Sequence, residues 1–153
     1  MFPFDMQIRS ISETEDLSRT VALYLLDHFH DSALFLEGEL GSGKTAFTRA
    51  MGRVLEIQDT INSPTFNLLN EYDGKKAKLF HYDLYRIQAP EEIIEMGFPE
   101  IWDEKYDMPA IHVIEWWKKA GIFLPDRIPC FSIQILFNRE NEDARQILGK
   151  QYH

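Results

Sequence analysis

Residues 34–47 read LFLEGELGSGKTAF: an apolar run, a glycine-rich turn, then a lysine and a threonine opening a helical pattern. Gly38, Gly43, Lys44 and Thr45 fit the form G-x-x-x-x-G-K-[ST], which belongs to loops that cradle phosphate. Gly41 and Gly43 tolerate the φ values that turn successive backbone N–H groups inward around an anion, and the next helix adds its positive end. Lys44 is then expected to reach the β- and γ-phosphates, and the Thr45 hydroxyl to ligate Mg²⁺. The loop from Gly38 through Glu39, Leu40, Gly41, Ser42 and Gly43 to Ala46 is the candidate phosphate cradle.

The flanks agree with that reading. Ala33 to Glu37 is a short apolar run between turn signals and reads as a buried strand. Thr45 to Leu55 places Phe47, Met51, Val54 and Leu55 on one helical face. Upstream, Met6 to Ile11 alternates as a strand does, and Ser12 with Glu15 suggests a capping box opening a helix over about residues 13–29. Downstream, Thr65 to Tyr72 and Lys78 to Tyr85 are strand-like around the turn signal Asp73-Gly74. Pro90 and Gly97 frame a short helix, and Ala110 to Ile114 is a buried-strand candidate ended by Glu115. Pro129 to Phe137 and Ala144 to Leu148 suggest a closing hairpin around NRENED, whose second arm is compatible with strand or helix. The expected fold class is α/β: a P-loop NTPase fold in three layers, with a mixed, mostly parallel central sheet and an inserted antiparallel hairpin. With 153 residues and no linker or repeat, a single P-loop ATPase domain over residues 1–153 is expected.

Charge narrows the partners. Sixteen basic against twenty-five acidic side chains give a net charge of −9. That disfavours autonomous nucleic-acid binding, which needs a basic patch to neutralise phosphates. One cysteine, Cys130, cannot form an internal disulfide and reads as a buried, inert thiol in a reducing compartment. MFPFDMQIRS lacks the pattern of a signal peptide, and no apolar run approaches the ~20 residues of a membrane span. A cytoplasmic protein is the expectation.

A phosphate loop that hydrolyses its ligand needs an acid near the metal. AIHVIEWW supplies Glu115 at a strand end, where a carboxylate can hold Mg²⁺ or orient the attacking water. HYDLYR offers Asp83, with His81 and Tyr85 on the same face by the strand period of two; His81 and His112 read as packed strand histidines. In NSPTF, Pro64 holds Ser63 extended, and Thr65 is either a switch-like hydroxyl or a strand-opening threonine. Trp116 and Trp117 suggest one buried ring and one at the surface. Guanine specificity has no visible carrier, since no NKxD element occurs, and there is no LSGGQ-like signature or arginine-rich lid. A partner-activated ATPase, a small-molecule kinase and a nucleotide-gated binding module all remain compatible with these residues.

GELGSGKT, SPTF, HYDLYR, the PEE…MGF segment and IEWW together resemble, in order and spacing, the bacterial TsaE (YjeE) family. The resemblance runs from about Ser12 to Leu124 and is weaker over the last thirty residues. It implies a P-loop ATPase, weak alone, that uses ATP and Mg²⁺ in making N6-threonylcarbamoyladenosine in tRNAs that read codons starting with A. It implies partners, TsaD (the transferase) and TsaB, through which tRNA would mainly be contacted. On this resemblance Lys44, Asp83 and Glu115 are catalytic, Thr45 and Glu115 bind the metal, and Thr65 belongs to the switch-like SPT segment. The stretch around Ser10 to Thr14, including Ser12, corresponds to the family's adenine-proximal segment. Ala46 departs from the family's usual second hydroxyl after GKT, which removes one expected α-phosphate contact.

Overall fold

The computed structural model describes residues 1–64 and 66–153, so the Thr65 reading lies outside the described residues. One seven-stranded sheet organises them. Its elements in chain order are β1 (Phe4–Ile8), α1 (Ile11–His28), β2 (Asp31–Gly38), α2 (Lys44–Val54), β3 (Leu69–Asp73) and β4 (Lys78–Asp83). There follow α3 (Glu92–Glu95), α4 (Phe98–Asp103), β5 (Ala110–Glu115), a 3₁₀ segment (Trp117–Phe123), β6 (Cys130–Phe137) and β7 (Arg145–Gln151). The strands lie in the order β1-β7-β6-β2-β5-β4-β3. The central four run parallel, and an antiparallel edge is added at each side by β3 and by β7 with β1.

Alternation along the strands divides the core between the two faces. Leu34 and Leu36 of β2 pack with Leu17, Val21 and Leu25 of α1 and Phe47 and Met51 of α2. Ala33 and Phe35 face the other way, onto Ile93, Phe98, Trp102 and Ala120. Helices therefore cover both faces, giving the three layers expected of a mostly parallel sheet. Each fully buried Leu or Phe in these layers contributes roughly 1.5–3 kcal/mol of transfer free energy. Ser18, a polar residue on the buried side of α1, donates its hydroxyl to the Phe47 carbonyl of α2 at 2.5 Å, which fixes the register of the two helices.

Several boundaries differ from the sequence expectation, each for a local reason. The helix α1 is capped by Ser10, whose side chain accepts from the Glu13 N–H at 3.2 Å, and not by Ser12. Glu13 in turn accepts from the Arg9 N–H at 2.8 Å, while Glu15 pairs with Arg53 of α2. The strand β3 begins at Leu69 and not near Thr65, because Leu68 takes a positive φ of 58° that breaks the extended run. The second hairpin arm is a strand, β7, paired along its length with β6 and from Arg145 to Gly149 with β1. The strand β5 also runs one residue further than expected, so Glu115 lies within it.

Candidate functional site

The chain leaves β2 at Gly38 and turns through Thr-free, glycine-rich backbone into α2. Gly41 and Gly43 adopt φ of 78° and 113°, conformations that cost a side-chain-bearing residue about 1–2 kcal/mol. Gly38 is required for a different reason: a Cβ there would lie 2.4 Å from Ser42 Oγ and 3.0 Å from the Ile135 carbonyl of β6. The loop is thus wedged against the sheet at its start and free to turn at its tip. Leu40, at that tip, is 98% exposed, so only its backbone belongs to the cradle. Glu39 accepts the Ser42 N–H at 3.0 Å.

Lys44 and Thr45 open α2, where the helix presents unpaired N–H groups and a partial positive charge. Lys44 Nζ donates to the carbonyl oxygens of Gly38 at 2.5 Å and Glu39 at 3.3 Å, holding the ammonium across the loop. The Thr45 hydroxyl lies 3.2 Å from the Ser63 hydroxyl. The segment that carries Ser63 is tied to α2 by Arg49, which donates to the Ile61 carbonyl at 2.8 Å and to Asn62 Oδ1 at 3.2 Å. From the other side, the Tyr72 hydroxyl bonds Asn62. Arg49 and Tyr72 escape a motif reading because each acts on backbone ten or more residues away.

The two candidate acids are neighbours. Asp83 and Glu115 are register partners at the ends of β4 and β5, on the sheet face that carries α2. Glu115 is buried, and His81, fully buried one strand away, donates from Nε2 to Glu115 Oε1 at 3.3 Å. Asp83 accepts the Tyr85 N–H at 3.0 Å. Burial pushes the Asp83 carboxyl above the usual carboxylate range and Glu115 adds to the rise, against the opposing Tyr85 hydrogen bond, His81 and Lys44. His112 sits deeper, accepting from the Tyr82 hydroxyl at 3.1 Å, and burial alone lowers it to about 3. It is a neutral core residue. Burial likewise pushes the Cys130 thiol up to about 12, which leaves it unreactive.

Thr45, Asp83 and Glu115 offer oxygen ligands, and hydroxyl and carboxylate oxygens suit a hard cation such as Mg²⁺. Among the described residues no three His, Cys, Asp or Glu side chains form a cluster able to hold a metal by themselves. A Mg²⁺ ion here would share its coordination among Thr45, a carboxylate, waters and phosphate oxygens, as this ion commonly does.

Two cavities flank the loop. One, of about 780 Å³, is bounded by Gly38, Glu39 and Lys44 and extends over Trp116, Trp117 and Phe137. Trp117 stacks on Phe35 at 5.0 Å, whereas Trp116, next to Glu115, is half-exposed with a positive φ of 55° and packs on Tyr85. The second cavity, of about 500 Å³, lies on the far side, between Ser42 and Gly43 of the loop, Ala46 of α2, the Ser10 cap with Ser12 and Thr14 of α1, and Arg145. No helix among the described residues is long and apolar enough to cross a membrane.

Comparison with known proteins adds an independent line. A family model described as "Threonylcarbamoyl adenosine biosynthesis protein TsaE" matches residues 8–147. Two curated relatives carry the name "tRNA threonylcarbamoyladenosine biosynthesis protein TsaE". That of Nostoc sp. is 36% identical, over 75% of this chain and 67% of the relative. That of Bacillus subtilis is 33% identical, over 78% of this chain and 72% of the relative. The matched stretch therefore spans about two-thirds to three-quarters of those proteins' own length. A crystal structure of Bacillus subtilis YdiB shares the fold, with a TM-score of 0.63 and 24% identity over 97% of this chain and 86% of that one.

Proposed function

The chain belongs to the TsaE family, and from that premise we propose that it is the ATP-hydrolysing component of tRNA threonylcarbamoyladenosine biosynthesis, working with TsaB and TsaD in the cytoplasm. The observation that carries the ATPase reading is a single juxtaposition. A glycine loop closed by Lys44 and Thr45 stands opposite two carboxylates, Asp83 and Glu115, on adjacent strand ends.

Each group then has a role set by its position. Backbone N–H groups of the loop and the α2 N-terminus hold the phosphate chain, and Lys44 exchanges its carbonyl partners for phosphate oxygens. Bound Mg²⁺ would neutralise charge on the β- and γ-phosphates. Thr45 and Glu115 are the side chains in position to hold it, directly or through water. Glu115, held by His81, would also align a water for attack on the terminal phosphorus. Asp83 stands beside it and keeps negative charge near the metal position.

Arg139 borders the larger cavity together with Lys44, from the turn between β6 and β7, but among the described residues no hydrogen bond or ion pair fixes it toward a transferring phosphate. Stabilising that charge is the step an external group would complete. Turnover by the isolated protein is therefore expected to be slow and to rise by at least tenfold when TsaB and TsaD are added. Phosphate release measured with and without the two partners checks this. Equal rates would remove the partner-activated reading, and turnover that depends on a phosphate-accepting metabolite would favour a kinase.

A further inference from the structure

The threonine that opens α2 belongs to a ring of contacts closed through a second segment of chain. Its hydroxyl lies 3.2 Å from that of Ser63. One helical turn on, Arg49 carries the other end of the ring: Nε donates to the Ile61 carbonyl at 2.8 Å and Nη2 to Asn62 Oδ1 at 3.2 Å. Both backbone groups of Asn62 are bonded as well. Its N–H donates to the Tyr72 hydroxyl at 3.1 Å, and its carbonyl accepts from that hydroxyl at 3.2 Å and from Asn70 Nδ2 at 3.1 Å. Tyr72 is anchored in the core beneath α2. Arg49 and Asn62 are themselves exposed, so burial does not explain their order. Thr48 offers a contrast within the same helix, since it spends its hydroxyl on the Lys44 carbonyl at 3.0 Å. Thr45, in the first turn, has no helical carbonyl behind it, and Ser63 takes that place.

We propose that Arg49 is a positioning residue for the metal: through Asn62 it sets the Ser63 oxygen against Thr45, so that Thr45 donates its proton to Ser63 and keeps its lone pairs for the cation. This rests on the ATP and Mg²⁺ reading above and states how the chain prepares Thr45 for that ion. A hydroxyl has one proton and two lone pairs, and a proton directed at Ser63 is not directed at the cation. Groups that orient a metal ligand from outside its coordination shell change metal affinity by about 10–100-fold. The planar guanidinium grips acceptors on two successive residues at once, which a lysine ammonium does not reproduce. Two competing explanations are that Arg49 only anchors residues 61–63 to α2, or that its charge alone attracts phosphate.

Mn²⁺, which shares the oxygen ligands of Mg²⁺, separates these when it is titrated into the ADP complex and the free ion is read by electron paramagnetic resonance. Wild type, Arg49→Lys, Ser63→Ala and the double variant are compared, with ADP affinity in EDTA and the unliganded Tm measured for each. Each single variant is expected to bind Mn²⁺ about tenfold more weakly while keeping metal-free ADP affinity within about twofold. The double variant should be no weaker than Ser63→Ala, because Arg49 acts through Ser63. Arg49→Lys keeps the positive charge, so wild-type Mn²⁺ affinity there would overturn the proposal. So would wild-type affinity in Ser63→Ala, losses that add in the double variant, or an equal loss of metal-free ADP affinity, the mark of a structural anchor. If Arg49→Lys fails to fold, Asn62→Ala, which removes the Oδ1 acceptor, takes its place under the same criteria. A wild type that binds no ADP would instead overturn the ATP-binding reading, and one that binds ADP but gains no Mn²⁺ site would overturn its metal; this inference falls with either.

Discussion

The two sides of the phosphate loop solve different physical problems. On the β4–β5 side, charge is concentrated: Lys44, Asp83 and Glu115 converge at strand ends, and the acids are partly or wholly buried. Burial of Asp83 disfavours its ionised form, and the neighbouring Glu115 adds to the effect. On the α1–hairpin side the lining is mostly backbone, hydroxyls and one clamped arginine. On the proposed reading, the first side serves the making and breaking of bonds to phosphate, and the second holds the rest of the ligand. A site can place strained electrostatics on one flank provided that the other needs little reorganisation.

Substitutions that affect the flanks unequally test this division. Lys44→Ala is expected to have the largest effect, lowering ATP turnover by about 10²–10³-fold in the presence of TsaB and TsaD, read as phosphate release. Glu115→Gln keeps the shape and removes the charge. It should lower turnover by about 10²-fold while changing ATP affinity less than about threefold. Comparable loss in a direct ATP titration would mean that Glu115 serves binding, and the division would break.

Two glycines separate the loop from the scaffold. Gly38→Ala pushes a methyl into Ser42 and the Ile135 carbonyl, so both ATP affinity and Tm should fall. Gly74→Ala places its methyl 2.2 Å from the Leu55 carbonyl, away from both cavities, and should lower Tm only. Overpacking of this kind costs about 1–3 kcal/mol, or a few degrees in a domain of this size. Thermal unfolding with and without ATP distinguishes the pair.

The smallest effect is expected at Asp83. Its folded carboxyl titrates above the ordinary value, so the folded protein holds that proton more tightly than the unfolded chain does. Stability is then lost as pH rises from the ordinary carboxylate value through the raised one, and stays lost above it. Asp83→Asn should therefore raise the Tm at neutral pH and lose that advantage in acid, while lowering turnover. A variant no more stable than wild type at any pH would contradict the burial argument.

The same contrast explains what could be read in the residues alone. The flank that carries Lys44, Asp83 and Glu115 is built from short contiguous motifs, GELGSGKT, HYDLYR and IEWW, whose strand-then-turn context fixes where these residues lie. The parallel centre of the sheet was equally legible, because β2 carries the apolar run Ala33–Leu36 and β5 is apolar from Ala110 to Ile114 apart from the buried His112, so both faces are covered. Sequence reasoning could not find Arg145 beside the loop, since its partner Ser42 lies 103 positions away and the β6–β7 register brings it there. The Ser10 cap was misread as Ser12 because both serines precede a glutamate by three residues; Glu13 closes the box at Ser10 by accepting from the Arg9 N–H, while Glu15 is engaged by Arg53 of α2, a contact 38 residues away in sequence. The helix α4 and the 3₁₀ segment went unread for a similar reason. They are too short for periodicity to register, yet they close the second face over Phe35 and Tyr82.

Reconstituted tRNA modification tests the central claim most directly. Threonylcarbamoyladenosine formed by TsaB and TsaD is measured over several turnovers, with wild type or Glu115→Gln as the third protein and ATP in excess. Wild type should sustain repeated turnovers, and Glu115→Gln, with ATP bound, should not. Modification at the wild-type rate with Glu115→Gln would show that hydrolysis at this site is not what the pathway requires.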